Sequence, residues 1–351
     1  MLYIRADGNT DIGMGHVMRC LSVAEAACVL PGGRPTFLLA DEACASMIAD
    51  RGFAVRVLCT DYREPESELP MLAALLQRED VLLVDSYQAR PAYYRALRQR
   101  CGVACMEDMG HPYPVNLLIN YNLYAPKLKE AYRQGAADAL PDRLLLGAAY
   151  TPLRTDFQTD TNYAVQDNVT DVMITTGGSD PHFASGALLE RLTERDMGTE
   201  IRYHVVIGPF NRFAGELRLR YGDCEAVRLH ENVRDMKALM RACDVVITAT
   251  GSTLYEVSAL GVPMICFYFA ENQRQGAEAL AALTDIVNAG CFAGRREETV
   301  ERIAQALLRC VRDKAYRQTL YRQERQLVDG AGAARIAEAV LCLAQEKRHG
   351  E

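Results

Sequence analysis

Short apolar runs alternate with longer segments of helical periodicity along most of the chain. The run that opens the sequence, residues 2–4, is followed by apolar side chains at helical spacing from Val17 to Cys28. Strands that alternate with helices in this way indicate βαβ units and parallel sheets, so we predict an α/β fold. Helices are predicted at residues 69–77, at residues 91–100, and from residue 300 onward with a break at Gly330-Ala331-Gly332. The other predicted strands are residues 36–39, 55–58, 81–85, 103–106, 117–120, 144–146, 169–175, 202–207, 226–229, 244–248 and 263–267.

The alternation lapses in one polar segment, residues 151–168, which is rich in Thr, Asp and Asn. Such a composition without periodicity is typical of a connection between domains. We therefore predict an N-terminal Rossmann-like domain at residues 1–150 and a C-terminal one at residues 169–330, followed by a terminal segment at residues 331–351. A length of 351 residues suits two domains of ordinary size.

Composition and charge narrow the classes of partner. Lys and Arg number 39 against 46 for Asp and Glu, a formal net charge of −7 that disfavours nucleic acid and anionic membrane surfaces. Most of the twelve cysteines lie within apolar periodic segments, which is typical of reduced, buried thiols. The chain opens on a strand rather than a signal sequence, and no apolar run approaches the length of a membrane span. We therefore expect a cytoplasmic protein with no nucleic-acid or membrane partner.

A polar loop containing Gly13 and Gly15 separates the first strand from the first helix. This is the carboxyl edge of a parallel sheet, where ligands bind. Gly13-x-Gly15 lacks the third glycine of a dinucleotide motif, so neither a nicotinamide nor a flavin cofactor is expected. His16 stands at the helix start among several charged residues and is a candidate general base, although a structural histidine is the competing interpretation.

Two glycine-containing turns in the second half follow predicted strands and precede helices. The first is Thr176-Gly177-Gly178-Ser179-Asp180, with a helix predicted from about Pro181. The second is Ala249-Thr250-Gly251-Ser252-Thr253, with Glu256 one turn into the following helix. Backbone N–H groups and the helix dipole favour an anion at such positions. Glu256 has an alternative role as a first-turn carboxylate that complements the dipole. No Asp-x-Asp pair or histidine pair with metal-ligand spacing occurs, so no metal is expected.

The N-terminal motif resembles that of a known enzyme family. Arg5-Ala6-Asp7-Gly8-Asn9 with Ile12-Gly13-x-Gly15-His16-x-Met18-Arg19-Cys20-Leu21 is similar to the opening motif of the UDP-sugar hydrolases of pseudaminic acid biosynthesis. Those enzymes, the UDP-2,4-diacetamido-2,4,6-trideoxy-β-L-altropyranose hydrolases, are akin to spore-coat polysaccharide proteins and more distantly to MurG-type glycosyltransferases. The resemblance implies a GT-B-like arrangement, with two Rossmann-like domains facing across a cleft and the last helix crossing back to the first domain.

The resemblance also implies roles for particular residues. His16 would be the catalytic base, with no metal and no cofactor. The expected sugar-binding residues are Arg5, Asp7, Gly15, Arg19, Tyr87, Asn272 and Gln273; the alternative for the Asn272-Gln273 pair is a helix N-cap. The expected UDP-binding residues are Gly177, Gly178, Ser179, Gly251, Ser252, Thr253 and Glu256, the last on the ribose hydroxyls. The chain departs from the family at Pro181-His182-Phe183, where an asparagine is common, and roles for Glu107, Asp108, Asn120 and Asn122 stay open.

The function that follows is hydrolysis of a UDP-linked diacetamido-trideoxy sugar, by inverting attack of water at the anomeric carbon. We expect a monomer whose partner is this substrate. The alternatives are a GT-B glycosyltransferase, which would use the base on an acceptor hydroxyl, and a non-catalytic UDP-sugar sensor. A lipid-acceptor transferase is expected to carry an apolar or basic run in its first domain, and none is evident in the sequence.

Overall fold

The computed structural model describes residues 1–9, 11–136, 139–158 and 163–349, with the side chains of residues 272 and 347–349 outside the description. The chain divides into two compact units, Met1–Gln158 with Gly330–Glu351, and Thr159–Asp329. Each unit is built on one parallel sheet with helical connections. The prediction of an α/β protein with two Rossmann-like halves is confirmed.

The first unit contains seven parallel strands in the order β3-β2-β1-β4-β5-β6-β7. These are β1 Leu2–Ala6, β2 Thr36–Leu39, β3 Ala54–Val57, β4 Val81–Asp85, β5 Gly102–Met106, β6 Leu117–Asn120 and β7 Arg143–Leu146. Its first helices are α1 Gly15–Ala27, α2 Ala45–Ala49, α3 Leu69–Leu75 and α4 Pro91–Arg98. Every residue of β1, β4 and β5 is buried. Both faces of the sheet are covered, which explains why these strands appear in the sequence as nearly continuous apolar runs.

The second unit contains six parallel strands in the order β10-β9-β8-β11-β12-β13. They are β8 Asp171–Thr175, β9 Arg202–Ile207, β10 Val227–Glu231, β11 Val245–Ala249, β12 Met264–Tyr268 and β13 Val287–Cys291. Its helices are α5 Ala184–Glu194, α6 Ala214–Tyr221, α7 Met236–Arg241, α8 Thr253–Leu260, α9 Glu271–Leu283, α10 Arg296–Arg312 and α11 Lys314–Leu327. The sequence pattern did not predict β13, whose Val-Asn-Ala-Gly-Cys segment is half-buried at the sheet edge and has its apolar residues interrupted by Asn288 and Gly290.

The last helix, α12 Gly332–His349, belongs to the first unit. Its residues Ile336, Val340 and Leu343 join the buried cluster that α1 forms with one face of the sheet. The predicted helix break at residues 330–332 has a steric cause. Gly330 has φ +80°, and a Cβ on Gly332 would lie 2.2 Å from the Thr151 carbonyl oxygen. Only glycine fits these two positions without displacing the backbone.

Each sheet reverses its strand order at one point, and these points locate the candidate sites. In the first unit the reversal falls between β1 and β4, which pair in register with Ala6 opposite Asp85. In the second unit it falls between β8 and β11. Ligands of open α/β sheets bind outside the carboxyl ends of the strands at such switch points. The loop before His16 follows β1, and the two glycine turns of the second unit follow β8 and β11.

A buried carboxyl group on α11 predicts an unusual pH dependence of stability. Glu324 is fully buried, accepts a hydrogen bond from the Met264 N–H (3.0 Å) at Oε1, and has no partner at Oε2 among the described residues. Burial raises the pKa of this carboxyl well above its usual range, with the Met264 N–H opposing the shift. Between the unfolded and folded pKa values the native state binds more protons, so this group makes stability fall as pH rises.

We therefore expect Glu324→Gln, which keeps the Oε1 acceptor but cannot ionise, to stabilise the protein selectively at high pH. The gain is expected to reach at least about 1 kcal/mol at pH 8 and to shrink toward pH 5, since one pKa unit corresponds to about 1.4 kcal/mol. Thermal unfolding midpoints of both proteins at pH 5 and pH 8 measure this. The same difference between them at both pH values would contradict it.

Candidate active site

His16 lies at the start of α1, directly beside the switch point of the first sheet. The helix begins at Gly15, and the side chain of its N-cap residue, Met14, makes no capping hydrogen bond. The imidazole is buried, with Nδ1 2.6 Å from Oδ1 of Asp85 at the carboxyl end of β4. The pairing of β1 with β4 brings these two side chains together across 69 residues of sequence.

Asp85 is the centre of a charged cluster that the sequence pattern did not reveal. Arg19 donates from Nε to Oδ2 and from Nη2 to Oδ1 at 2.5 and 2.6 Å, a bidentate ion pair. Burial alone favours the protonated acid, but Arg19 and His16 hold the pKa of Asp85 well below its usual range. An ionised carboxylate only accepts hydrogen bonds, so Nδ1 of His16 carries the hydrogen and Nε2 is left as the basic nitrogen.

Tyr87, which is expected to bind the sugar, lies at the edge of this cluster. Its ring meets His16 edge-on at 4.6 Å between centroids, and 55% of the residue is exposed. Its hydroxyl donates to Oδ2 of Asp108 at 2.8 Å, and Arg19 Nη1 donates to the same oxygen at 3.2 Å. Burial and the Asp108 carboxylate raise the pKa of Tyr87, so its hydroxyl stays a donor across the physiological range. The sequence left the role of Asp108 open, and in the structure Asp108 holds the Tyr87 hydroxyl at the edge of the cluster.

Arg5 and Asp7 are also expected to bind the sugar, but their side chains lie in the interior of the first unit. Arg5 is 2% exposed, and its Nε donates to both carboxylate oxygens of Glu68 at 2.9 Å. Asp7 accepts from Arg5 Nη1 and, at 2.8 Å, from the backbone N–H of Ala40. These contacts hold both side chains inside the unit at the base of the loop that precedes His16, and their contact with the sugar stays a prediction.

The loop after β5 is held by Glu107, whose role the sequence also left open. Its carboxylate accepts hydrogen bonds from the backbone N–H groups of Met109, Gly110 and His111 at 2.7–3.1 Å, and from the Tyr132 hydroxyl. Asn120 donates to the Tyr132 hydroxyl at 2.8 Å and accepts from both the backbone and side-chain N–H groups of Asn122. These contacts fix the strand ends that carry Asp108 and Tyr121, the two groups bonded to Arg19 Nη1.

In the second unit the first glycine turn differs from the prediction. Gly177 has φ +82°, a left-handed conformation that favours glycine. The helix begins at Ala184 rather than near Pro181, because the buried Asp180 carboxylate accepts from the backbone N–H groups of Ala184 and Ser185 at 2.7 and 2.9 Å. The chain's own carboxylate therefore occupies the start of α5. This carboxylate takes the place expected for an anion at the helix start, and the assignment of Gly177, Gly178 and Ser179 to UDP stays a prediction.

The second glycine turn leads directly into α8. Ser252 is the N-cap of α8, and its side chain makes no capping hydrogen bond. Thr253 is the first residue of α8, and Glu256 lies in its first turn. Gly251 donates its N–H to the Ala249 carbonyl at 2.9 Å. Among the described glycine turns, the start of α8 is thus the position whose N–H groups and dipole best suit an anion.

The Asn272-Gln273 pair lies inside α9, one residue past its first. The N-cap is Ala270, so the alternative interpretation of this pair as a helix N-cap is wrong. Gln273 instead reaches back past the N-cap and accepts from the Phe269 N–H at 2.9 Å. The side chain of Asn272 lies outside the described residues. His182, at the departure from the family motif, has its ring 5.7 Å from that of Phe269.

Two features, a metal site and a membrane-spanning helix, are absent from the described parts of the chain. No group of three or more His, Cys, Asp or Glu side chains in these residues is arranged to hold a metal ion. Within the same residues, no helix combines the length and apolar character needed to cross a membrane.

Comparison with known proteins shows a family to which the second half is similar and a fold that the whole chain shares. The profile of the glycosyltransferase family 28 C-terminal domain matches residues 173–340. A crystal structure of MurG from Acinetobacter baumannii superposes with a TM-score of 0.63, covering 97% of this chain and 98% of that one at 13% identity. The architecture is therefore that of GT-B glycosyltransferases.

Two curated proteins are similar in sequence. The chain is 24% identical to the spore coat polysaccharide biosynthesis protein SpsG of Bacillus subtilis, with 95% of each sequence aligned. It is 25% identical over 283 residues to the uncharacterized protein MJ1062 of Methanocaldococcus jannaschii, an alignment that spans 78% of this chain but only 56% of MJ1062. The chain thus has a full-length relative named for polysaccharide biosynthesis.

Proposed function

We propose that the protein hydrolyses a UDP-linked diacetamido-trideoxy sugar to the free sugar and UDP, without a metal, in nonulosonic (pseudaminic) acid or surface polysaccharide biosynthesis. The observation that carries the proposal is the pair formed by His16 and the ionised Asp85 at the switch point of the first sheet, 2.6 Å apart. A ring nitrogen fixed as a donor to a carboxylate leaves its partner nitrogen as a positioned base, which is the arrangement that general-base catalysis requires.

In this reaction Nε2 of His16 takes a proton from a water molecule as its oxygen forms a bond to the anomeric carbon. The bond from that carbon to the UDP oxygen breaks, and UDP leaves with the electron pair. Asp85 stabilises the imidazolium that forms, as a carboxylate beside a catalytic histidine does. Water and leaving group occupy opposite faces of the carbon, so the configuration inverts. Attack of this kind gains about 10²–10⁴-fold from a positioned base.

The second unit would hold the nucleotide. We assign the diphosphate to the start of α8, where Ser252 and Thr253 present backbone N–H groups and Gly251 leaves open space beside the turn, and the ribose to Glu256. Gly177, Gly178 and Ser179 would border the phosphates as a turn. Stabilisation of the departing UDP by N–H groups and a helix dipole requires no metal ion. The resemblance to the UDP-sugar hydrolases and the match to the family 28 C-terminal domain support this assignment.

A glycosyltransferase is the second candidate, because the matching C-terminal profile is that of a transferase family. The same His16 would then take a proton from an acceptor hydroxyl instead of water. The site chemistry is compatible with both reactions, and the resemblance of the N-terminal motif to hydrolases favours water.

Incubation of the purified protein with a panel of UDP-sugars that differ at C-2, C-4 and C-6 tests the proposal. We expect UDP to accumulate over many turnovers from a diacetamido-trideoxy sugar donor with no acceptor present. Release of UDP only after an acceptor is added would indicate the transferase. Tight binding with no release under either condition would indicate a sensor and contradict both enzymatic assignments.

A further inference from the structure

Arg19 is placed to control the charge of the candidate base. It lies three residues after His16 on α1, so both side chains leave the same face of the helix. Its guanidinium bonds both oxygens of the carboxylate that His16 contacts, and its Nη2 is 3.1 Å from Nδ1 of His16. Arg19 Nη2 and His16 Nδ1 both donate to Oδ1 of Asp85. The positive charge of the arginine therefore lies directly beside the imidazole.

The charges around His16 explain why such a cation is needed. A carboxylate in contact with an imidazole favours the protonated ring, whereas a general base must be neutral before it can accept a proton. Asp85 faces His16 from β4, and Asp108 lies one contact further, bonded to Arg19 and Tyr87. The other titratable groups of the cluster are the Cys20 thiol on Oδ2 of Asp85 and the Tyr121 hydroxyl on Arg19. Arg19 is the cation that bonds to both of these carboxylates.

Building on the proposed function, we propose that Arg19 is a positioning residue that balances the charge of Asp85 and thereby keeps His16 neutral with Nε2 directed away from the carboxylate. The side chain of Arg19 is 12% exposed, and its three nitrogens make hydrogen bonds to Asp85, Asp108 and Tyr121. This replaces the role expected from the resemblance, in which Arg19 contacts the sugar.

Substitutions of Arg19 and of Asp85 are expected to shift the protonation midpoint of His16 in opposite directions. Arg19→Gln removes the cation and leaves the carboxylates, so the pH at which half of His16 is protonated rises, by about one to two units for a charge at this distance. Asp85→Asn removes the carboxylate and leaves the cation, so the same midpoint falls. Arg19→Lys keeps the charge and is expected to stay close to wild type.

NMR titration of the His16 ring carbon in the ligand-free protein measures these midpoints without any substrate. Its result is therefore independent of whether UDP-sugars are hydrolysed. Where hydrolysis is observed, the acid limb of the kcat/KM profile is expected to move in the same directions, with a smaller change in KM. An unchanged or lowered midpoint in Arg19→Gln, or a rise in KM with no movement of the acid limb, would overturn the proposal and restore a sugar contact.

Arg19→Gln leaves a buried carboxylate without its cation and is at risk of unfolding. The same substitution in the Asp85→Asn background avoids that charge. There the account predicts that removing Arg19 raises the midpoint relative to Asp85→Asn alone. Equal midpoints in those two proteins would overturn the proposal even if the single variant does not fold.

Discussion

Replacing His16 with asparagine is expected to lower kcat by about 10²–10⁴-fold while leaving the affinity for UDP nearly unchanged. Asparagine can retain a hydrogen bond to Asp85 but offers no basic nitrogen at the position of Nε2. The loss is therefore confined to the proton transfer, and UDP contacts in the second unit are left intact.

Steady-state kinetics and UDP titration of the two proteins measure this effect. His111→Asn is the matched control, because the His111 side chain is 62% exposed and its ion-pair contact is with Glu107. We expect the control to keep kcat within about twofold of wild type, since an exposed substitution of this kind removes no proton-transfer group. A near-normal kcat in His16→Asn would remove His16 from the mechanism.

Substituting Glu256 by alanine is expected to weaken UDP binding at least about tenfold. A hydrogen bond to a charged acceptor contributes roughly 1.5–3 kcal/mol, which corresponds to about 10–150-fold in affinity. If the carboxylate accepts from the ribose hydroxyls, the effect depends on those hydroxyls, so 2′,3′-dideoxy-UDP should bind wild type and variant with similar affinity.

Calorimetric titration of both ligands separates this role from a structural one. Glu278→Ala is a suitable control, since Glu278 lies on α9, paired with Arg274. Equal losses for UDP and its dideoxy analogue in Glu256→Ala would show that Glu256 complements the dipole of α8 instead of holding the ribose.

Much of the scaffold could be predicted because it depends on local pattern. Fully buried strands such as β4 are apolar up to their last residue, and the break before α12 is marked by two glycines. The strand β13 could not be predicted, because an edge strand with Asn and Gly carries little of that signal. The start of α5 was misplaced because Pro181 resembles a first-turn proline, whereas the capping carboxylate comes from the residue before it.

The candidate site was predictable in location but not in its contacts. His16 and the end of β4 could be placed at one sheet edge from the βαβ pattern alone. The ion pair of Arg19 with Asp85 depends on the pairing of β1 with β4 over more than 60 residues of sequence. The same holds for Arg5, which looks like a loop-edge ligand in the sequence but bonds to Glu68, 63 residues away, in the interior. Ion pairs between residues far apart in the sequence do not produce a periodic pattern of apolar and polar positions, so that pattern does not predict them.

The most direct test of the central claim is the fate of oxygen during the reaction in ¹⁸O-water. Attack by water at the anomeric carbon labels the sugar at C-1 and leaves UDP unlabelled, which mass spectrometry of both products detects. Early NMR spectra should show the inverted anomer before mutarotation. Label in the phosphate of UDP, or UMP as a product, would mean attack at phosphorus and would contradict the assignment of His16 to a sugar-directed water.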